Sequence, residues 1–314
     1  MVSNSLHGQP IWLSNRIPAD AERSIKPAGM HHLASESKGR GKVKIVQWLM
    51  QGERVEDAAY FVQDSTTIEA LVFAPSGKKV EHKLDSLNQR TILSFSNPEE
   101  GFYNEYVVIK KVSGDTLYYA IAKGELLNHS CRNGHAHVRE MMPYKVYPQS
   151  IPFEIVRKRM VHEDFHYFVS SGEEISYSIL LNGEPANGIL TKLSTEKGWI
   201  NSRRTDDSGE VSFQFLQDYF TPWQEINNRE EYTYVLFAKT TIPEIGVFEG
   251  LPYNYIKYTA SISDAYRPAK TFYQSMFWSI IVLLLTTIGT ILAVYYYRSR
   301  RNRPFKEIIF DEAN

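Results

Sequence analysis

YNEYVVIKKVSGDTLYYAIAKG, residues 103–124, is the stretch that decides the class of fold. Two runs rich in β-branched and aromatic residues flank Ser113-Gly114-Asp115, a turn signal, so the stretch reads as two strands and not as a helix. Working outward, runs of the same kind stand at KVKIVQWLM (42–50), AAYFVQD (58–64), TTIEALVFA (66–74) and TILSFS (91–96). Ser76-Gly77 and Asn97-Pro98 punctuate them. Short strands at this spacing describe a β-sandwich over residues 42–150.

A break at Asn128–Pro148 separates these runs from a second series. PFEIVRK (152–158), FHYFV (165–169), EEISYSILL (173–181), GILTKLST (188–195), EVSFQFL (210–216), YTYVLFAK (232–239) and YNYIKYTASI (253–262) predict a second sandwich over 151–266. Before residue 42 the chain is polar and aperiodic. Residues 1–41 are therefore expected to be partly disordered, with Ile11-Trp12-Leu13 able to pair as a short strand.

After the β series comes FWSIIVLLLTTIGTILAVYYY, residues 277–297, without a charge. About 20 apolar residues at 1.5 Å each match a hydrocarbon core of roughly 30 Å, which predicts a transmembrane helix over 272–298. Phe277, Trp278 and Tyr295–Tyr297 sit where interfacial aromatic belts sit, and Arg298, Arg300, Arg301, Arg303 and Lys306 crowd the C-terminal flank. The positive-inside rule puts that flank, with a tail over 299–314, in the cytoplasm and the β-domains outside it. The expected fold is mainly β: two Ig-like β-sandwich domains followed by one C-terminal transmembrane helix. MVSNSLHGQPIW lacks a basic region and an apolar stretch of export-signal type, which points to a mature or re-engineered N-terminus. A tail-anchored protein facing the cytoplasm is the rival, and the Arg-rich flank argues against it.

Net charge is −1, which gives no argument for nucleic acid. Cys131 is the single cysteine, so no internal disulfide can form. The phosphate-binding loop, the dinucleotide fingerprint and G-x-S-x-G are all absent, and no enzyme activity is expected.

Several motifs in the second series resemble a known family. They are Gly172 to Ile175, Asn182-Gly183-Glu184-Pro185 with Gly188, Thr205-Asp206-Asp207-Ser208-Gly209-Glu210-Val211-Ser212-Phe213, and the opening Pro152-Phe153-Glu154-Ile155-Val156. Together they resemble the periplasmic β-sandwich accessory proteins of energy-coupling-factor-type nickel and cobalt importers. YVVIKKVSGDTLYYAIAKGE (106–125) is similar to the end of the preceding domain in that family. The resemblance is close over 152–215 and loose over 42–262. It implies an extracytoplasmic subunit that captures nickel or cobalt and passes it to an integral-membrane permease. The glycines themselves have a structural reading, since they supply positive φ in hairpins.

Metal chemistry has its own candidates. His129, Cys131, His135 and His137 fall within nine residues. Imidazole and thiolate suit nickel and cobalt, as well as copper and zinc, which stand behind them here. His135 and His137 share one side of an extended strand, and Gly134 lets the chain fold back toward Cys131 or His129. The bland reading is a polar loop that holds histidines. His31 and His32 form a second candidate, and His7 a third, near the place where the family opens with a His-aromatic stretch. His162-Glu163-Asp164-Phe165-His166 matches H-E-x-x-H, but it lies among strand-like runs. Two histidines four apart on a strand lie about 13 Å apart, too far to chelate one ion. The alternative to metal capture is a structural or assembly subunit of an envelope membrane complex, in contact with the lipid bilayer and neighbouring subunits.

Overall fold

A computed structural model describes residues 9–18, 26–28, 33–37, 43–63, 67–128, 149–159, 163, 167–216 and 231–301. The chain divides into two compact units that meet between Arg267 and Pro268.

The first unit is built of strands. In chain order they are β1 (Ile11–Ser14), β2 (Lys26–Ala28), β3 (Leu33–Ser37), β4 (Val43–Gln51), β5 (Ala59–Tyr60), β6 (Thr67–Phe73), β7 (His82–Leu87), β8 (Arg90–Ser96), β9 (Gly101–Ser113) and β10 (Thr116–Asn128). Then come β11 (Phe153–Lys158), β12 (Val169–Ser170), β13 (Glu174–Leu181), β14 (Glu184–Pro185), β15 (Leu190–Thr195), β16 (Ile200–Arg204), β17 (Glu210–Gln214), β18 (Tyr232–Phe248) and β19 (Leu251–Arg267). Mainly β architecture is what the alternating runs predict.

The quoted hairpin lies at the centre. β9 and β10 pair over their full lengths across the turn at Gly114. They belong to a sheet ordered β16-β15-β18-β19-β10-β9-β6. Within it β10 and β19 run parallel, Thr116–Gly124 against Tyr255–Ser263. Strands from 42–150 and from 151–266 therefore share one sheet. A parallel pair cannot be closed by a tight turn, and the second series up to β18 lies in the crossover.

Both faces of this sheet are covered, so its strands read as continuous apolar runs. On one face Tyr106, Val108, Ile121, Leu236 and Ile262 pack with Phe153, Ile155, Tyr177, Ile179 and Phe213 of the β11-β13-β14 sheet and its partner β17. On the other, Val107, Ile109 and Ala122 pack with Ile45, Leu49, Leu93 and Phe95 of the β2-β3-β4-β8-β7 sheet. Trp12, Val46 and Trp48 meet Val235 and Phe237 in a third cluster. β1, the short strand expected at Ile11-Trp12-Leu13, is buried throughout and pairs with β4. Hydroxyls of Ser261 and Ser263 on β19 donate to the carbonyls of Ile11 and Leu13.

The second unit contains α1 (Lys270–Arg301). Phe277–Arg301 is long and apolar enough to cross a membrane, with mean hydropathy 2.3 and none of its most apolar stretch buried. The hydroxyl of Thr286 bonds the carbonyls of Val282 and Leu283, that of Thr287 bonds Leu283, and that of Thr290 bonds Thr286. These polar groups are satisfied within the helix, as hydrocarbon surroundings require.

Gly124 has no turn to make; it lies inside β10, opposite Glu105. A Cβ at this position would overlap the Glu105 carboxyl. Gly124→Ala is expected to destabilise the detergent-solubilised chain by about 1–3 kcal/mol through overpacking, read from its urea unfolding midpoint.

Candidate functional site: a buried ion network beside a cleft

Charged side chains in a β-sandwich core are the exception. Here they gather where β10, β11 and β19 meet. Lys123 and Glu125 continue the face of β10 that carries Leu117 and Ile121 into the core, while Arg157 continues the face of Phe153 and Ile155 on β11.

Lys123 is enclosed. Its Nζ donates to Glu154 Oε1 at 2.9 Å and to the Ile155 carbonyl at 3.1 Å, and it stands 3.3 Å from Glu125 Oε1. Tyr106 donates its hydroxyl to the same Glu154 oxygen at 2.6 Å. Arg159 reaches Glu125 at 2.9 Å and Glu163 at 3.4 Å, and its guanidinium lies 3.9 Å over the ring of Phe102. Arg157 donates to both oxygens of Glu163 at 3.1 Å, and to Asp264 at 3.3 Å. Three cations thus meet Glu125, Glu154, Glu163 and Asp264, and each cation touches two carboxylates.

Burial opposes the charge on Lys123, but Glu154 and Glu125 overcome it and hold its pKa above the ordinary value. Burial likewise pushes Glu125 up, and Lys123 with Arg159 and Arg157 outweighs that push, so its carboxyl stays ionised below the usual range. Asp264 moves the other way. Burial raises it and Arg157 only partly compensates. Its side chain remains 40% exposed, so solvent screens much of that push.

A cleft of about 120 Å³ opens beside the network, lined by Asn15, Phe102, Glu125, Arg157, Tyr167 and Asp264 among others. A smaller one of about 60 Å³ adjoins it through Asn15, Glu125, Asp264 and Ala265, and is lined further by Gln47 and Glu105. Glu105 lies on the opposite face of the central sheet from the network. It is 1% exposed, its Oε2 has no hydrogen-bond partner, and burial pushes its pKa up to about 8. Burial thus favours its neutral form. Chemically the arrangement holds charges in place: the arginines and Lys123 are engaged by carboxylates, and burial favours the neutral form of Glu105.

The residues expected to bind metal, His129, Cys131, His135, His137, His7, His31 and His32, lie outside the described residues. So do His162 and His166. Glu163, between them, is described and is held by Arg157 and Arg159. Among the described residues no group of three or more His, Cys, Asp or Glu is arranged to hold a metal ion. His82, the one described histidine, has its Nδ1 3.0 Å from the Val80 carbonyl. The network itself escaped the sequence reading. The available signal was parity: Lys123 and Glu125 stand in phase with Leu117 and Ile121.

No protein-family model matches the chain, and no curated protein does. Among solved structures it has a likeness to the Ca2+-stabilized adhesin that helps an Antarctic bacterium reach out and bind ice. The two share 10% identity over 82% of this chain and 48% of that one, with a TM-score of 0.21. This chain thus spans about half the length of the adhesin chain, and at that TM-score nothing about fold or ligand is carried over.

Two outcomes are expected. Lys123→Met strands Glu154 and Glu125 without their shared cation and should cost about 3–5 kcal/mol of unfolding free energy, measured by denaturant titration. For Glu105, the folded-state pKa of about 8 lies above its ordinary 4.5, so folding holds a proton that the unfolded chain releases between those values. Its contribution to stability is complete below the lower value. It falls by about 1.4 kcal/mol per pH unit as pH rises toward the upper one, and stays lost above it. Glu105→Gln should flatten that slope in denaturant midpoints taken from about pH 5 to about pH 9.

Proposed function

We propose that this chain is a non-catalytic subunit of a membrane complex, anchored by α1 and presenting its β-unit outside the cytoplasm to neighbouring subunits. The observation that carries this reading is the apolar, unburied helix Phe277–Arg301 immediately after the β-unit. Arg298, Arg300 and Arg301 in its last turn support a cytoplasmic C-terminus. The engaged charges of the core support a scaffold role, since a network whose cations are each gripped by two carboxylates has little freedom to move protons. Purification of the full chain from its native membrane in mild detergent tests the proposal. A companion membrane protein is expected at a fixed ratio, and a monomer without companion would overturn it.

A second reading is favoured by one sequence observation, the H-x-C-x3-H-x-H spacing of His129, Cys131, His135 and His137. In it the chain captures nickel or cobalt by ligand exchange and hands the ion to a permease beside the anchor. His7, His31 and His32 are further ligands in this reading. The donor set suits borderline metals. Calorimetric titration of the full chain with Ni²⁺, Co²⁺, Cu²⁺ and Zn²⁺ is expected to show binding tighter than about 100 μM. Binding should be lost when His129, His135 and His137 are changed to Ala together. Weaker binding, or binding the triple change leaves untouched, would remove this reading.

A further inference from the structure

The longest of the described strands, β18 and β19, outrun their neighbours. The register of β18 with β15 stops at Lys239 against Leu190, and that of β19 with β10 begins at Tyr255 against Thr116. Between those points no other described strand pairs with the β18–β19 hairpin, although Asn254 N–H donates to the Asp115 carbonyl and Glu249 accepts from the Thr67 hydroxyl. It closes at Phe248 against Leu251, with Glu249 and Gly250 at φ 50° and 80°. Two successive positive φ values are the mark of a type I′ turn, whose twist suits a regular hairpin. The projection is therefore built, not slack.

One side of it is fixed: Ile242, Phe248 and Tyr253 pack against the core. Ile245, Val247, Leu251 and Tyr255 are exposed by 86%, 69%, 53% and 44%; Val247, opposite Pro252, faces away from Phe248, while Leu251 stands across from Phe248 on the same face. Pro243 and Pro252 stand beside them. Isolated exposed apolar residues are ordinary, but four large ones between Ile245 and Tyr255 give the tip of one regular hairpin an apolar surface of the kind used for recognition.

We propose that this tip is a docking surface for another protein, one whose contacting face is apolar and edged by Lys or Arg. The proposal rests on reading the chain as an assembly subunit and names the surface and the partner chemistry. Charge selects the occupant. From Thr240 to Ile256 the hairpin has no Lys, Arg or His, and it carries Glu244 and Glu249, the latter also accepting a hydrogen bond from the Thr67 hydroxyl. An anionic lipid surface would repel those carboxylates, since surface-binding elements carry basic residues instead. A symmetric contact with a second copy would set the acidic rim against itself. A basic-edged apolar face meets both the patch and the rim. Strand addition is not the mode of contact. Pro243 lacks a donor and the register slips between Pro243 and Gly246, both of which blunt the open edge of β18. Side chains carry the contact.

The test uses the full chain expressed in its native membrane and purified in mild detergent. The double change Ile245→Asp, Val247→Asp should reduce the co-purified companion by about tenfold or more. Because both side chains are exposed, the thermal midpoint of the chain should stay unchanged. Glu244→Lys should weaken the companion in the same direction, and the wild-type complex should loosen as salt rises. A photo-crosslinking residue in place of Ile245 should join that companion. A companion retained in full by both variants overturns the tip proposal and leaves the assembly reading standing. A crosslink to lipid or to a second copy overturns it equally. A wild-type chain that brings no companion overturns both together.

Discussion

The parallel pairing of β10 with β19 is the constraint on which the rest of the first unit depends. It makes one sheet out of strands that lie more than a hundred residues apart, Thr116 against Tyr255 at one end and Gly124 against Ser263 at the other. Once it is made, β9 and β6 follow on one side and β18 and β15 on the other, and both covering sheets have a floor to pack on. Such a contact is costly to form early, because the intervening chain must be brought round before any hydrogen bond rewards it. Local hairpins such as β9–β10 and β18–β19 need no such closure. The architecture is thus sets of local hairpins sealed chiefly by the β10–β19 ladder.

The ion network sits against that ladder. Lys123 is paired in the β10–β19 register itself, and Asp264 follows Ser263, where the register ends. Charges so deeply placed do little for net stability compared with well-packed apolar residues, because removing them from water costs about what their attraction returns. What they do well is punish misregister. A slip of β10 by one residue would turn Lys123 and Glu125 to the other face, leaving Glu154 without its cation and Arg159 without one of its two carboxylates. The glycine at 124 adds a steric version of the same demand, leaving room for Glu105 and for little else.

Much of this was legible in the sequence, for identifiable reasons. Runs such as YVVIKKV and TLYYAIA show β-branched and aromatic residues without a helical period, and Gly114 marks their turn. The apolar stretch from Phe277 announces its helix by length and by the absence of charge. Other features were hidden. The extension of β18 and β19 beyond residues 239 and 253 was masked by Pro243, Gly246 and Pro252, which read as breakers and instead occupy an edge and a bulge. β7, HKLDSL, is too polar to announce itself, and its exposed face explains why. The shared central sheet was hidden too, because strand alternation says which face is buried but not which distant strand lies alongside. The network was hidden because a lysine in a strand ordinarily marks a solvent face.

β19 ends at Arg267, one residue before the unit that carries the helix. Any load transmitted from an anchored helix therefore enters the β-unit at the C-terminal end of this strand. β19 is bonded to β18 on one edge and to β10 on the other, and its Ser261 and Ser263 also hold β1. Hydrogen bonds between strands lie across the strand direction, so a pull along β19 shears two ladders at once and cannot unzip them one bond at a time. The strand that closes the fold is also its mechanical fastening.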